Sequence, residues 1–236
     1  MTATVDVRPA RSRAHTQIGW LDSWHSFSFG RHYDPTNTHH GLLLVSNDDT
    51  VAPGTGFTTH SHRDMEIVTW VLSGRLRHED SEGNRGELYP GLAQRMSAGT
   101  GISHSEMNAS PSEEVHFVQM WVPPDTKGIR PGYEQRDVNE ELAEGGLHAI
   151  ASGQDHPSAI SIHQREAVLW GGRLEPGESA TVPEAKHVHV FVAGGDADLA
   201  GAGQLHEGDA ARLTDAGALA LEAGPAGAEV LIWATA

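Results

Sequence analysis

Two short polar motifs carry the residues of this chain best suited to chemistry. His60-Ser61-His62 comes first, and His104-Ser105-Glu106 follows 42 positions later, counted from His62 to His104. Each motif spaces two donors by a single residue. On a β-strand, side chains at i and i+2 point to the same face. Two such strands facing each other would aim three imidazoles and one carboxylate at one point, which is the donor set of a metal site. Neutral imidazoles and a carboxylate suit divalent iron, and four protein ligands leave positions open on an octahedral ion. Zinc, nickel, manganese, cobalt and copper accept the same donors, so these residues do not fix the metal. A lone H-x-H arises by accident among 16 histidines. The repeated spacing, with Gly99 and Gly101 just ahead of the second motif, gives the pair its weight.

The elements that must position these motifs read as short strands and tight turns. Residues 67–72 (IVTWVL) are β-branched and aromatic and stop at Ser73-Gly74; residues 115–122 (VHFVQMWV) stop at Pro123-Pro124. The second half repeats this style in residues 167–170, 188–192 and 229–233. An internal echo links the halves. Gly86-x-Leu88-x-x-Gly91-x-Ala93-x-Arg95 returns as Gly203-x-Leu205-x-x-Gly208-x-Ala210-x-Arg212, at a constant offset of 117. The expectation is an all-β chain of two tandem jelly-roll-type β-barrels, residues 1–135 with the metal site and residues 136–236 without metal.

Composition narrows the function. Thirty-two acidic against 16 basic residues give a formal net charge of −16. Such a surface repels phosphate, so neither direct nucleic-acid binding nor docking on an anionic membrane is expected. No cysteine is present, so thiolate metal sites, disulfides and cysteine nucleophiles are excluded. The first 17 residues lack an apolar targeting core, and no apolar run approaches membrane-spanning length. A cytoplasmic location is the expectation.

Several segments together are specific. Residues 54–74 around His60-x-His62, and 99–108 around His104-x-Glu106-x-Asn108, resemble the two cupin motifs. Residues 20–30 (WLDSWHSFSFG), 62–69 (HRDMEIVT), 78–81 (HEDS) and 94–99 (QRMSAG), the last running on to His104-Ser105-Glu106, resemble the pirin family more narrowly. The similarity spans roughly residues 17–136; beyond residue 140 it reaches only the general two-cupin plan. The resemblance implies that His60, His62, His104 and Glu106 hold one divalent metal ion, Fe(II), in the first barrel. It also implies quercetin 2,3-dioxygenase activity, with a flavonol and dioxygen as substrates. Glu106 would then serve both as ligand and as the catalytic general base for the flavonol 3-hydroxyl. The alternative is a regulatory iron protein that binds a transcription factor or metabolic enzyme.

Other polar residues are expected to have structural roles. Glu66 follows the first motif, and Arg63 and Asp64 lie between; all three are expected outside the ligand set. His187-Val188-His189 is also an H-x-H. Aligning the halves, however, sets Ala180 and Val182 opposite His60 and His62, and Leu221 and Ala223 opposite His104 and Glu106, so no ligand set survives there. That His pair is expected to face solvent or pack beside the barrel mouth. His15, His39 and His40 are expected on the surface, and Trp20, Trp24, Phe27 and Phe29 in core or interdomain packing, with the mouth of the metal cavity as the alternative.

Overall fold

The computed structural model describes residues 3–236. Its first half contains β1 Thr4–Arg8, β2 Ala14–Ile18, β3 Leu21–His25, β4 Val45–Val51, β5 Gly56–His62, β6 Glu66–Ser73, β7 Leu76–Asp80, β8 Arg85–Leu88, β9 Leu92–Ser97, β10 Ile102–Asn108, β11 Val115–Val122 and β12 Gly132–Asp137. A short helix, α1 Asn139–Leu142, leads to β13 His148–Ser152, β14 Ile160–Ser161, β15 Ala167–Leu174, β16 Ser179–Val182, β17 His187–Leu199, β18 Gly203–His206, β19 Ala210–Thr214 and β20 Leu219–Thr235. No described helix is long and apolar enough to cross a membrane.

The strands form two cupin barrels in tandem. In the first, a seven-stranded sheet ordered β12-β9-β6-β11-β4-β3-β2 faces a four-stranded sheet ordered β5-β10-β7-β8. The second barrel repeats both layers within one nine-stranded sheet, because β17 and β20, 13 and 17 residues long, bend from one layer into the other. Register shifts at Val192/Gly194 and Gly195/Ala197 mark those bends. The sequence echo falls on equivalent hairpins, β8–β9 and β18–β19. Leu88 and Leu205 are buried in both, and Gly91 and Gly208 take φ of +87° and +81° at the turns.

One expectation is corrected at its ends. Residues 1–135 do not all belong to the first barrel: β1 pairs with β19, Asp6 opposite Arg212, and so edges the second. It sits where β12 sits in the first barrel, paired to β9, and β12 itself runs on to Asp137.

The outer face of β6 and β11 packs against the second barrel. Val68, Trp70, Val118 and Met120 share a core with Leu169, Phe191 and Trp233. Both faces of β6 are therefore buried, which explains its unbroken apolar run. The Trp70 indole N–H donates to Glu229 at 2.8 Å across the junction.

Three histidines also belong to this junction. His189 is buried beside Phe27 with ring centroids 5.6 Å apart, and His187 meets His40 at 5.2 Å. His40, expected on the surface, is instead bonded through Nε2 to Leu213 O at 3.0 Å. His39 is exposed, and His15 is half-buried, stacked on Trp24 at 3.9 Å. Burial drives His189 well below its usual range, with Arg212 adding, and takes His40 down to about 4. Unfolded, both titrate near the ordinary histidine value of about 6.5. Acidification therefore adds protons to the unfolded chain that the folded chain refuses, so stability falls as pH drops below about 6.5. The share from His40 levels off near 4. His189→Leu should flatten this acid limb of Tm while leaving metal content unchanged. A variant that kept the full acid limb would contradict the assignment.

Candidate metal centre

Strand register brings the two motifs together. β5 and β10 pair antiparallel, His60 opposite His104 and His62 opposite Ile102. A bulge breaks the ladder: Glu106 lies opposite Phe57, so β5 carries one residue more than β10 between those pairs. Strict alternation from the cavity-lining Phe57 would turn Thr59 and Ser61 inward. The extra residue reverses the parity, and His60 and His62 face the barrel interior instead. Gly56 begins this strand because the β10 backbone runs too close for a side chain; a Cβ there would lie 2.2 Å from the Glu106 carbonyl oxygen.

The three imidazoles converge. Donor nitrogens of His60, His62 and His104 lie within 4.8 Å of one another, and the rings of His60 and His104 are 4.4 Å apart. The Thr58 carbonyl can only accept, so His60 Nδ1–H donates to it at 2.8 Å and leaves Nε2 bare. Nε2 of His62 and Nε2 of His104 are buried with no hydrogen-bond partner. Burial holds the pKa of His62 down to about 4 and that of His104 to about 2, and the neighbouring imidazoles push the same way. Both are therefore neutral at pH 7, the state that ligates metal. Orphaned, neutral, convergent nitrogens fit a bound cation and are costly without one.

Glu106 stands slightly apart. Its carboxylate groups with His104 and His78 within 4.8 Å, and no set among the described residues holds His60, His62, His104 and Glu106 together. The Gln119 amide N–H donates to Glu106 Oε1 at 2.7 Å, and Gln119 Oε1 accepts from the Trp121 indole at 3.1 Å. Burial raises the Glu106 pKa, against the Gln119 hydrogen bond.

A buried relay behind His104 escaped the sequence reading of ligands. His104 Nδ1 lies 3.4 Å from His78 Nδ1, and His78 Nε2 lies 3.2 Å from Asp80 Oδ2. With His104 Nε2 facing a metal, Nδ1–H donates to His78, which passes a second N–H to Asp80. Burial pushes Asp80 up, but hydrogen bonds from Asn84 and His78 hold it below the usual carboxylate range. The signal was present as His78-Glu79-Asp80, the same i, i+2 spacing on β7, opposite Glu106 and His104 of β10. Asp80→Asn should weaken metal binding by about 10–100-fold, the usual scale for an outer partner of a metal-binding imidazole. Competition with a chelator reads this, and unchanged affinity would remove the relay from the site.

The remaining sequence candidates lie elsewhere. Glu66 is buried and accepts from Ser97 Oγ at 2.8 Å and from the His163 backbone N–H at 3.0 Å, tying the first barrel to the second half. Asp64 Oδ1 accepts from the Gly128 backbone N–H at 2.6 Å, and Arg63 is exposed. Asn108 donates to the Val51 and Glu113 carbonyls. In the second barrel Ala180 pairs with Leu221, where His60 pairs with His104 in the first, and Val182, Leu221 and Ala223 are buried in an apolar core.

The donor cluster borders a cavity of about 690 Å³. His60, His62 and Glu106 form one side, while Trp20, Phe57 and Trp121 supply aromatic walls. Trp20 and Phe29 thus line the cavity, whereas Phe27 joins the interdomain core.

Two barrels, one with an open donor-lined cavity and one with an apolar interior, define a bicupin whose first barrel gathers donors suited to a metal ion. Residues 6–122 match the family model described as Pirin, and residues 149–233 match the Quercetinase C-terminal cupin domain. A Mycobacterium bovis protein provisionally named a quercetin 2,3-dioxygenase is 58% identical over 99% of this chain and 96% of its own length. Quercetin 2,3-dioxygenase of Escherichia coli K12 is 40% identical over 83% of this chain and 84% of its own. The crystal structure of bacterial pirin YhhW from Escherichia coli in complex with nickel(II) superposes with a TM-score of 0.89 at 36% identity, covering 98% of each chain. The chain belongs to the pirin family.

Proposed function

We propose that this chain is a metal-dependent dioxygenase that opens flavonols such as quercetin at the 2,3 bond. His60, His62 and His104 hold one Fe(II), and Glu106 is its fourth ligand and the general base. The observation that carries this is the aromatic-walled cavity with His60, His62 and Glu106 on one side, large enough for a three-ring substrate and bordered where chemistry can occur. The metal supplies acidification of a bound hydroxyl and a site for dioxygen.

The protein does the rest. Trp20, Phe57 and Trp121 hold the flat substrate and keep bulk water from the reacting bond. Gln119 pins Glu106 Oε1, so Oε2 is the oxygen that would ligate and that, on loosening, would accept the 3-hydroxyl proton. Burial, by raising the Glu106 pKa, makes that carboxylate a stronger base than an exposed one. Overall, flavonol and dioxygen give the ring-opened ester and carbon monoxide. Oxygen uptake by the reduced, iron-loaded protein with a flavonol panel tests the proposal. Uptake matched by carbon monoxide release is expected. No uptake with any flavonol would favour the regulatory alternative, in which an acidic chain meets a protein partner.

A further inference from the structure

The cavity has a second polar wall that metal binding does not use. Residues directly opposite on neighbouring strands share a face of the sheet. One row crosses the seven-stranded sheet through Thr69, Gln119, Asn47 and His25. The next passes through Phe117, Asp49, Ser23 and Thr16. The four-stranded sheet opposite carries His60, His62 and Glu106, so a ligand in the cavity spans from one sheet to the other.

Most polar atoms on this wall are already engaged. Asn47 Oδ1 can only accept, so His25 Nδ1–H donates to it at 2.9 Å. His25 Nε2 then accepts the Thr16 hydroxyl at 3.0 Å, and Thr16 Oγ1 accepts from His32 Nε2–H at 3.0 Å. Burial keeps His25 below its usual pKa, consistent with the neutral ring this chain of bonds requires. Two groups are left over. Asp49 is 4% exposed and its Oδ1 is buried without a partner. The Asn47 amide N–H₂ meets no acceptor among the described residues, although Asn47 borders the cavity. A buried carboxylate oxygen with nothing to accept calls for an explanation. A ligand donor in the adjoining cavity supplies one.

We propose that Asp49 and Asn47 form a hydroxyl-recognition subsite on the wall facing the imidazoles, selecting phenolic ligands that carry a hydroxyl away from their metal-binding oxygens. The ligand hydroxyl donates to Asp49 Oδ1 and accepts from Asn47 Nδ2–H. This rests on the flavonol reading above and adds to it a preference among flavonols. A pocket built to bond a hydroxyl rejects the analogue lacking it, because its own buried groups are then stranded.

The test compares quercetin with 3-hydroxyflavone, which has the same metal-binding oxygens and no other hydroxyl. Both are titrated anaerobically into iron(II)-loaded protein and followed by absorbance, in wild type, Asp49→Leu and Asp49→Asn. Quercetin should bind more tightly than 3-hydroxyflavone to wild type. In Asp49→Leu the affinity ratio should fall by up to about tenfold, the scale of one buried hydrogen bond. Asp49→Asn should lower the ratio by a smaller factor and decides the matter if the leucine protein does not fold. Parallel losses for both ligands, or an unchanged ratio, would overturn the subsite while 3-hydroxyflavone binding left the flavonol reading standing. Wild-type protein that bound neither would overturn both.

Discussion

His104→Ala is expected to leave the protein folded and without metal, and with it all turnover. The position matters more than its neighbours because His104 belongs to both donor sets, one with His60 and His62 and one with His78 and Glu106. Its replacement breaks every cluster of three donors found among the described residues, and it also cuts the Asp80 relay at its inner end. Loss of an outer partner alone costs about 10–100-fold in affinity, so loss of the ligand itself should exceed about 100-fold. Elemental analysis after dialysis measures it, with Tm confirming the fold. Metal retained at the wild-type level would mean that His104 is a packed histidine and that the centre lies elsewhere. His62→Ala should likewise lose metal, since its orphaned Nε2 is also aimed at that point.

Glu106→Gln separates ligation from proton transfer. Three imidazoles remain, so the variant should keep part of its metal. The amide fills the same space and can still meet Gln119, but it cannot take a proton. Turnover per bound metal should fall by about 100-fold or more, the usual scale for loss of a general base. Flavonol binding, followed separately by absorbance, should change much less. A Glu106→Gln protein that cleaved flavonol at the wild-type rate per iron would remove Glu106 from the base role and leave it a hydrogen-bonded neighbour of Gln119.

Legibility in the sequence followed the range of the interactions. The all-β class and the two barrels were readable because they rest on local spacing: i, i+2 dyads, apolar runs stopped by Gly or Pro, and a hairpin repeated at offset 117, while the family was readable from its resemblance in contiguous motifs such as residues 20–30 and 62–69. The approach of His60 to His104 was expected from that spacing, although the bulge that turns His60 and His62 inward was not visible. What the sequence hid depends on partners far along the chain. The placement of β1 on β19 joins residues some 200 positions apart, and nothing in residues 4–8 names that partner. Gln119, which tethers Glu106, sits in an apolar-looking strand whose alternate face happens to line the cavity. His40 looked like a surface residue because its burial is supplied by Leu213 and His187 from the second barrel. His78 and Asp80 could have been found by applying the spacing rule already used for the first two motifs.

The most direct test of one metal centre in the first barrel is anomalous diffraction at the iron absorption edge from crystals of the iron-loaded chain. One peak per chain is expected, about 2 Å from nitrogens of His60, His62 and His104, a usual first-row metal–imidazole distance, with the Glu106 carboxylate turned toward it. A peak in the second barrel near Ala180 and Leu221, or one bound by His78 and Glu106 with His60 and His62 free, would contradict the account.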